Sequence, residues 1–166
     1  MMVGIKQLVL IVIVSTLLAL VVNMASSNRI PLVGNWPSIP GSHTVAVPPS
    51  ADEGDPTFIS LDEAAARFQS SGTLFIDTRD PEDYEFGRIK GSVNIPYDYL
   101  EDYLDTLRAI PRDKEIVTYC SGTECELSLF LGRDMQYEGF ENIYIFYGGW
   151  REWKRAELPT DSGAVK

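Results

Sequence analysis

The sequence predicts an α/β fold, a mostly parallel sheet flanked by helices on both faces, preceded by an N-terminal transmembrane helix. Three observations predict it. Between residues 57 and 159, short runs of β-formers alternate with stretches of helical apolar period. Strands separated by helices pair in parallel and need cover on both faces. A long apolar run near the start is set apart from this region by a proline-rich stretch.

The apolar run comes first. Leu8 to Val22 is unbroken apart from Ser15 and Thr16, whose hydroxyls can bond to the preceding turn. Carried to Ala25 it has about 18 residues, or about 27 Å of helix, close to the thickness of a bilayer's hydrocarbon core. Residues 8–25 are therefore expected to cross a lipid bilayer. Lys6 lies on the short N-terminal side, which keeps that end in the cytoplasm and sends the rest outward, to the periplasm or the extracellular space. A cleaved signal peptide is the alternative, since Ala25-Ser26-Ser27 offers small residues for cleavage. The length of the run favours a retained anchor.

Residues 28–56 read as a semi-stiff tether. They hold six of the ten prolines, Pro31, Pro37, Pro40, Pro48, Pro49 and Pro56, with no sustained apolar period. Trp36 is a linker aromatic that could meet the membrane interface, and His43, the single histidine, reads as a solvated linker residue.

The domain is expected over residues 57–159, with 160–166 as a tail. Phe58-Ile59 is a short strand. Ser60 caps a helix whose third residue, Glu63, completes a capping box, and Leu61, Ala64, Ala65 and Phe68 make its buried face. Leu74–Ile76 is a central strand. Pro81 opens a short helix at the position where its missing N–H is harmless. Val93–Ile95 is a strand, and Tyr99–Leu107 has helical spacing before Pro111. Glu115–Tyr119 is a strand, Glu126–Tyr137 a helix, Asn142–Phe146 a strand and Gly149–Arg155 a last helix. Trp150 and Trp153 are expected to pack on the sheet. Tyr84, Tyr97, Tyr99 and Tyr103 are expected to be core or half-buried.

Cys120 falls at the end of the Glu115–Tyr119 strand, on a loop that runs through Ser121, Gly122, Thr123, Glu124, Cys125 and Glu126 into a helix. In parallel α/β sheets reactive groups lie beyond the C-terminal ends of strands. Loop N–H groups and the helix N-terminus favour a thiolate there, while Glu124 and Glu126 oppose it.

Composition narrows the chemistry. The net charge of −10, with no long Lys/Arg cluster, argues against nucleic acid as a partner. Two cysteines and one distant histidine argue against a metal site and against a disulfide-rich scaffold. Residues 121–128 contain no arginine, so a phosphate-binding cysteine loop is set aside.

Three stretches carry a resemblance. Leu74-Phe75-Ile76-Asp77-Thr78-Arg79, with Asp83-Tyr84, Gly87-Arg88-Ile89 and Gly91 to Pro96, is similar to the first signature of the rhodanese domain. The Cys120 loop is similar to its active loop, and Gly139-Phe140 through Tyr144 to Trp150 to its C-terminal signature. The resemblance covers about residues 57–159. Arg88 stands where the family usually has His. Glu124, Cys125 and Glu126 stand where the family's loop closes with Arg and Ser.

The resemblance implies a three-layer rhodanese-like sandwich and sulfur transfer, with no metal or organic cofactor. Cys120 would be the catalytic nucleophile, holding sulfane sulfur as a persulfide. Asp77 and Arg79 read as a structural ion pair near the site. With no Lys or Arg in the loop, a persulfide, a polysulfide or a protein suits the site as donor better than thiosulfate, and a thiol would be the acceptor. A membrane protein is a candidate partner. Two alternatives stay open. Cys120 and Cys125 could work as a thiol–disulfide pair, with Cys125 as resolving or disulfide partner, or the domain could be a catalytically silent binding module.

Overall fold

The computed structural model describes residues 4–25, 44–70 and 72–163. Trp36, His43, Pro31, Pro37, Pro40 and the Ser26-Ser27 pair lie outside the described residues. The chain forms two units, Met1–Ser38 and Ile39–Lys166.

The first unit contains helix α1, Ile5–Ala25, which begins three residues before the apolar run. Ser15 Oγ and Thr16 Oγ1 both donate to the Val12 carbonyl, at 3.0 and 2.8 Å, so neither hydroxyl is left for water. The stretch Ile5–Met24 is long and apolar enough to cross a membrane, and none of it is buried against protein. A helix that is apolar all round, with its backbone groups bonded internally, suits hydrocarbon. A signal sequence has the same properties.

The second unit is the predicted α/β domain. Its elements are β1 (Thr57–Phe58), α2 (Leu61–Gln69), β2 (Leu74–Asp77), α3 (Pro81–Phe86), β3 (Arg88–Ile89), β4 (Val93–Asn94), a 3₁₀ helix (Tyr97–Tyr103), α4 (Leu104–Arg108), β5 (Glu115–Tyr119), α5 (Leu127–Tyr137), β6 (Asn142–Phe146), α6 (Gly149–Arg155) and β7 (Thr160–Asp161). Five strands form one parallel sheet in the order β1-β6-β5-β2-β4. The Ser60–Glu63 capping box is present at α2, and Pro81 opens α3.

Alternation along the strands makes three layers. Phe75 and Val117 point to one face, where they meet Leu61 and Ala64 of α2 and Trp150 and Trp153 of α6. Their neighbours Ile76 and Ile116 point to the other face, against Leu107 of α4 and Leu131 and Met135 of α5. Trp153 is fully buried, packs edge-on to Phe68 and Phe146, and donates Nε1–H to the Pro159 carbonyl at 2.9 Å. Both tryptophans thus pack on the sheet as expected.

Four local features differ from the sequence reading. The Tyr99–Leu107 helix is broken: Tyr99 sits at φ −120°, ψ 25° inside a 3₁₀ turn, and only Leu104–Arg108 is α-helical. The apolar spacing is met by seating Leu100, Tyr103 and Leu107 on one core, which a kinked segment does as well as a straight one. Tyr99 is 53% exposed, not half-buried. The tail begins with a strand, because Thr160–Asp161 pairs antiparallel with Arg88–Ile89. Two residues are too few to show a period. Finally, the end of the proline-rich stretch is fastened to the domain. Arg133 of α5 donates to both carboxylate oxygens of Asp55, at 2.6 and 2.8 Å, and to the Ser50 carbonyl at 2.9 Å, while Pro48 and Pro56 are buried.

Candidate active site

Strand β5 delivers Cys120 to the C-terminal edge of the sheet, with its backbone held from two sides. On one side, Thr78 at the end of β2 donates both its N–H and its Oγ1–H to the Tyr119 carbonyl, each at 3.0 Å. On the other, the N–H groups at the start of α6 reach the loop: Trp150 donates to the Cys120 carbonyl at 2.8 Å and Arg151 to the Ser121 carbonyl at 3.0 Å. These bonds require the chain to turn sharply between β6 and α6. Gly149 makes the turn with φ +61°, and a Cβ there would lie 2.4 Å from the Cys120 oxygen and 2.8 Å from the Gly122 nitrogen. Only glycine permits so close an approach.

The rest of the loop is a short turn closed by Cys125 N–H donating to the Gly122 carbonyl at 2.9 Å. Tyr147, at the end of β6, donates its hydroxyl to the Thr123 carbonyl at 2.7 Å. Burial, and then the charge of Glu126, push the Tyr147 phenol above its ordinary pKa, which keeps it a donor. Cys120 is buried, Ser121, Cys125 and Glu126 are half-buried, and Thr123 and Glu124 are exposed. Ser121 Oγ lies 3.9 Å from Cys120 Sγ.

Cys120 and Cys125 are joined by a disulfide, with their Cα atoms 6.1 Å apart. The five-residue separation therefore curls enough to bring the sulfurs together. In this state Cys120 carries no thiolate, and reduction is required before it can act as a nucleophile.

Asp77 and Arg79 form the expected ion pair, fully buried and doubly bonded. Arg79 Nε and Nη2 donate to the two carboxylate oxygens of Asp77 at 2.9 and 2.5 Å, and Nη2 also donates to the Gly87 carbonyl at 2.7 Å. Burial opposes the guanidinium charge, but the hydrogen bonds and charge of Asp77 outweigh it and raise the Arg79 pKa. The guanidinium lies 5.3 Å from the Trp150 ring, so the pair supports the residue that holds Cys120. Asp83 adds its charge to that of Asp77 on the Arg79 guanidinium, and it lines the cleft together with Ser121. Arg88, in the place of the family's usual His, is buried and donates to the Tyr84 and Gly163 carbonyls. Tyr119, under the loop, accepts from Ile89 N–H and bonds to Ser92 Oγ, and burial raises its pKa well above the phenol range.

Sequence reading missed four contributors. Arg151 of α6 donates to Glu124 at 2.8 Å, placing a cation at a loop that has none of its own. Lys154 and Arg155 follow it into the cleft beside Ser121. Their helix begins 29 residues after Cys120, so no local spacing reveals them. Ser128, in the first turn of α5, is fully buried and its Oγ has no hydrogen-bond partner among the described residues. It is a spare donor or acceptor at the loop's end, visible in the sequence only as a serine after the loop.

A family model for the rhodanese-like domain matches residues 60–156, more than half of the chain. The chain belongs to the rhodanese-like domain family. Among curated proteins it is similar to an HTH-type transcriptional regulator of Mycobacterium tuberculosis, 32% identical over 106 residues, covering 64% of this chain and 45% of that one. It is also similar to the tRNA uridine(34) hydroxylase of Pectobacterium atrosepticum, 33% identical over 114 residues, covering 61% and 31%. The chain thus spans less than half the length of these relatives. Among solved structures, the polysulfide-sulfur transferase of Wolinella succinogenes aligns with a TM-score of 0.52 at 24% identity, covering 63% of this chain and 77% of that one. The thiosulfate sulfurtransferase of Pseudomonas aeruginosa aligns at 0.56 and 18% identity, covering 68% and 21%. At those identities the likeness is one of fold, and it agrees with the parallel rhodanese-like sheet described above.

Proposed function

We propose that this rhodanese-like domain is a sulfurtransferase that carries sulfane sulfur as a persulfide on Cys120. The observation that carries this reading is the position of Cys120: buried at the C-terminal end of a central parallel strand, with its own carbonyl held by Trp150 and the preceding one by Thr78. Fixed backbone on both sides keeps the sulfur in one place, which is what positioning of a nucleophile requires.

In the reduced protein the Cys120 thiolate attacks the outer sulfur of a persulfide or polysulfide. A Cys120 S–S bond forms, the donor's S–S bond breaks, and the donor's remaining thiolate leaves. An external thiol acceptor then takes the outer sulfur and returns Cys120 to the thiolate. The disulfide supports a second exit. Cys125 thiolate attacks Cys120 Sγ, the Cys120–Cys125 bond forms, and the outer sulfur leaves as hydrosulfide; a dithiol reductant then restores both thiols.

The domain works outside the cytoplasm, tethered through α1. Lys6 on the short N-terminal side supports that orientation, and a loop disulfide suits an oxidising compartment.

Mass spectrometry of the reduced, full-length protein in detergent, exposed to polysulfide, tests the reading. Cys120 should gain sulfur mass, Cys120→Ser should gain none there, and Cys125→Ser should load normally but release less hydrosulfide. If Cys125→Ser turns over unchanged, Cys125 only ties the loop shut. If neither cysteine gains sulfur from any donor, transfer is ruled out and the silent binding module takes its place.

A further inference from the structure

An open cleft of about 690 Å³ lies beside the cysteine loop, with Ser121 in its lining. Its volume is in the range of small-molecule sites and far exceeds what hydrosulfide or thiosulfate needs. Ser121 Oγ is 3.9 Å from Cys120 Sγ, so a ligand in the cleft ends close to the reactive sulfur.

The lining is cationic on a chain whose net charge is −10. Arg79, Arg151, Lys154 and Arg155 contribute, against Asp83 and Glu157. Arg79 is already matched by buried Asp77, and Arg151 shares its charge with Glu124 across an exposed contact. Lys154 and Arg155 form no ion pair with any described residue. Positions 151, 154 and 155 have the i, i+3, i+4 spacing that puts side chains on one helix face, so the charges form a patch several ångströms long. The remaining wall is aromatic. Trp150 and Phe86, the latter 78% exposed, flank Lys154, whose Nζ lies 5.9 and 5.7 Å from their rings.

We infer that this cleft binds the organic partner in sulfur exchange, a low-molecular-weight thiol or its persulfide that bears two or more carboxylates. This rests on the sulfur-transfer reading above. The carboxylates face Arg151, Lys154 and Arg155, the aliphatic part lies along Trp150 and Phe86, and the sulfur end points past Ser121 toward Cys120. A single inorganic anion uses one of these cations; separated carboxylates use the whole patch.

The test uses full-length protein in detergent and S-methylglutathione, a dicarboxylate whose thioether cannot exchange sulfur, so binding is read independently of transfer. Titration calorimetry should show saturable binding that weakens as salt rises. The diethyl ester should bind at least about fivefold more weakly, and Lys154→Glu/Arg155→Glu at least about tenfold. The neutral Lys154→Gln/Arg155→Gln pair, which carries no risk of charge-reversal misfolding, should show an intermediate loss. Arg108→Glu, on α4, should stay within about twofold of wild type. Equal affinity for acid and ester, or unchanged affinity in both double variants, overturns the inference. Polysulfide loading of the unaltered protein is measured separately, so failure of sulfur transfer and failure of this cleft give different results.

Discussion

The Trp150 amide donates to the Cys120 carbonyl at 2.8 Å, so the first turn of α6 holds the backbone of the loop cysteine directly. The loop is therefore set by two strand ends and a helix start, and not by its own residues alone.

Gly149→Ala puts a methyl 2.4 Å from the Cys120 oxygen at a φ of +61°. The backbone must shift, at a cost of about 1–3 kcal/mol. Urea unfolding should show that loss, and sulfur loading of Cys120 should slow with it. A wild-type midpoint and wild-type loading together would show that the turn relaxes freely.

Glu124→Gln releases Arg151 from its exposed ion pair. Stability should change by no more than about 0.5 kcal/mol. With the cation free to meet an anionic donor, kcat/KM for thiosulfate should rise up to about fivefold, and Glu124→Arg should raise it further. The sequence reading predicts weak thiosulfate activity in the unaltered protein, and steady-state kinetics on the three proteins checks both points. Efficient thiosulfate turnover that neither substitution changes counts against the charge argument.

Arg79→Met strands the buried carboxylate of Asp77. Removing one partner of a buried pair costs about 3–5 kcal/mol, because the other charge is left uncompensated. Asp77→Asn combined with Arg79→Met should recover part of the loss. Equilibrium unfolding of the single and double variants gives the coupling, and strictly additive losses would remove the ion pair from the account.

Arg133 fastens the end of the proline-rich stretch through Asp55. Its hydrogen bond lowers the Asp55 pKa from 3.8, against the opposing effect of desolvation. A lowered folded-state pKa stabilises the fold above the unfolded value and is lost as pH falls through the folded one. The stability gap between wild type and Asp55→Asn should therefore be full at pH 6 and shrink below about pH 4. A gap independent of pH in unfolding titrations would show that the carboxylate charge is not what holds the stretch.

The full-length protein should pellet with membranes and resist alkaline extraction, because a mostly apolar helix of 20 residues in lipid does not leave with salt or pH. A soluble mature chain beginning near Asn28 would show a cleaved signal sequence instead.

Much of the fold is legible in the chain because its signals are local. The Ser60–Glu63 capping box, Pro81 at the head of α3 and the β-former run Glu115–Tyr119 each act within a few residues, and each appears where its pattern places it. Thr160–Asp161 gives no such signal, since its pairing with Arg88–Ile89 depends on residues more than 70 positions away.

The sequence by itself determined the α/β alternation, the apolar N-terminal run and the placement of Cys120 between strand and helix, since periodicity and strand–loop–helix order are properties of neighbouring residues. Only the tertiary structure decided what surrounds that cysteine. The parallel pairing of β5 with β6 sets Gly149, Trp150 and Arg151 against the loop, and Arg151 reaches Glu124 across 27 positions of sequence. The cations that the loop lacks are supplied by a later helix. Convergence of that kind depends on the path of the sheet, which no local window of residues contains.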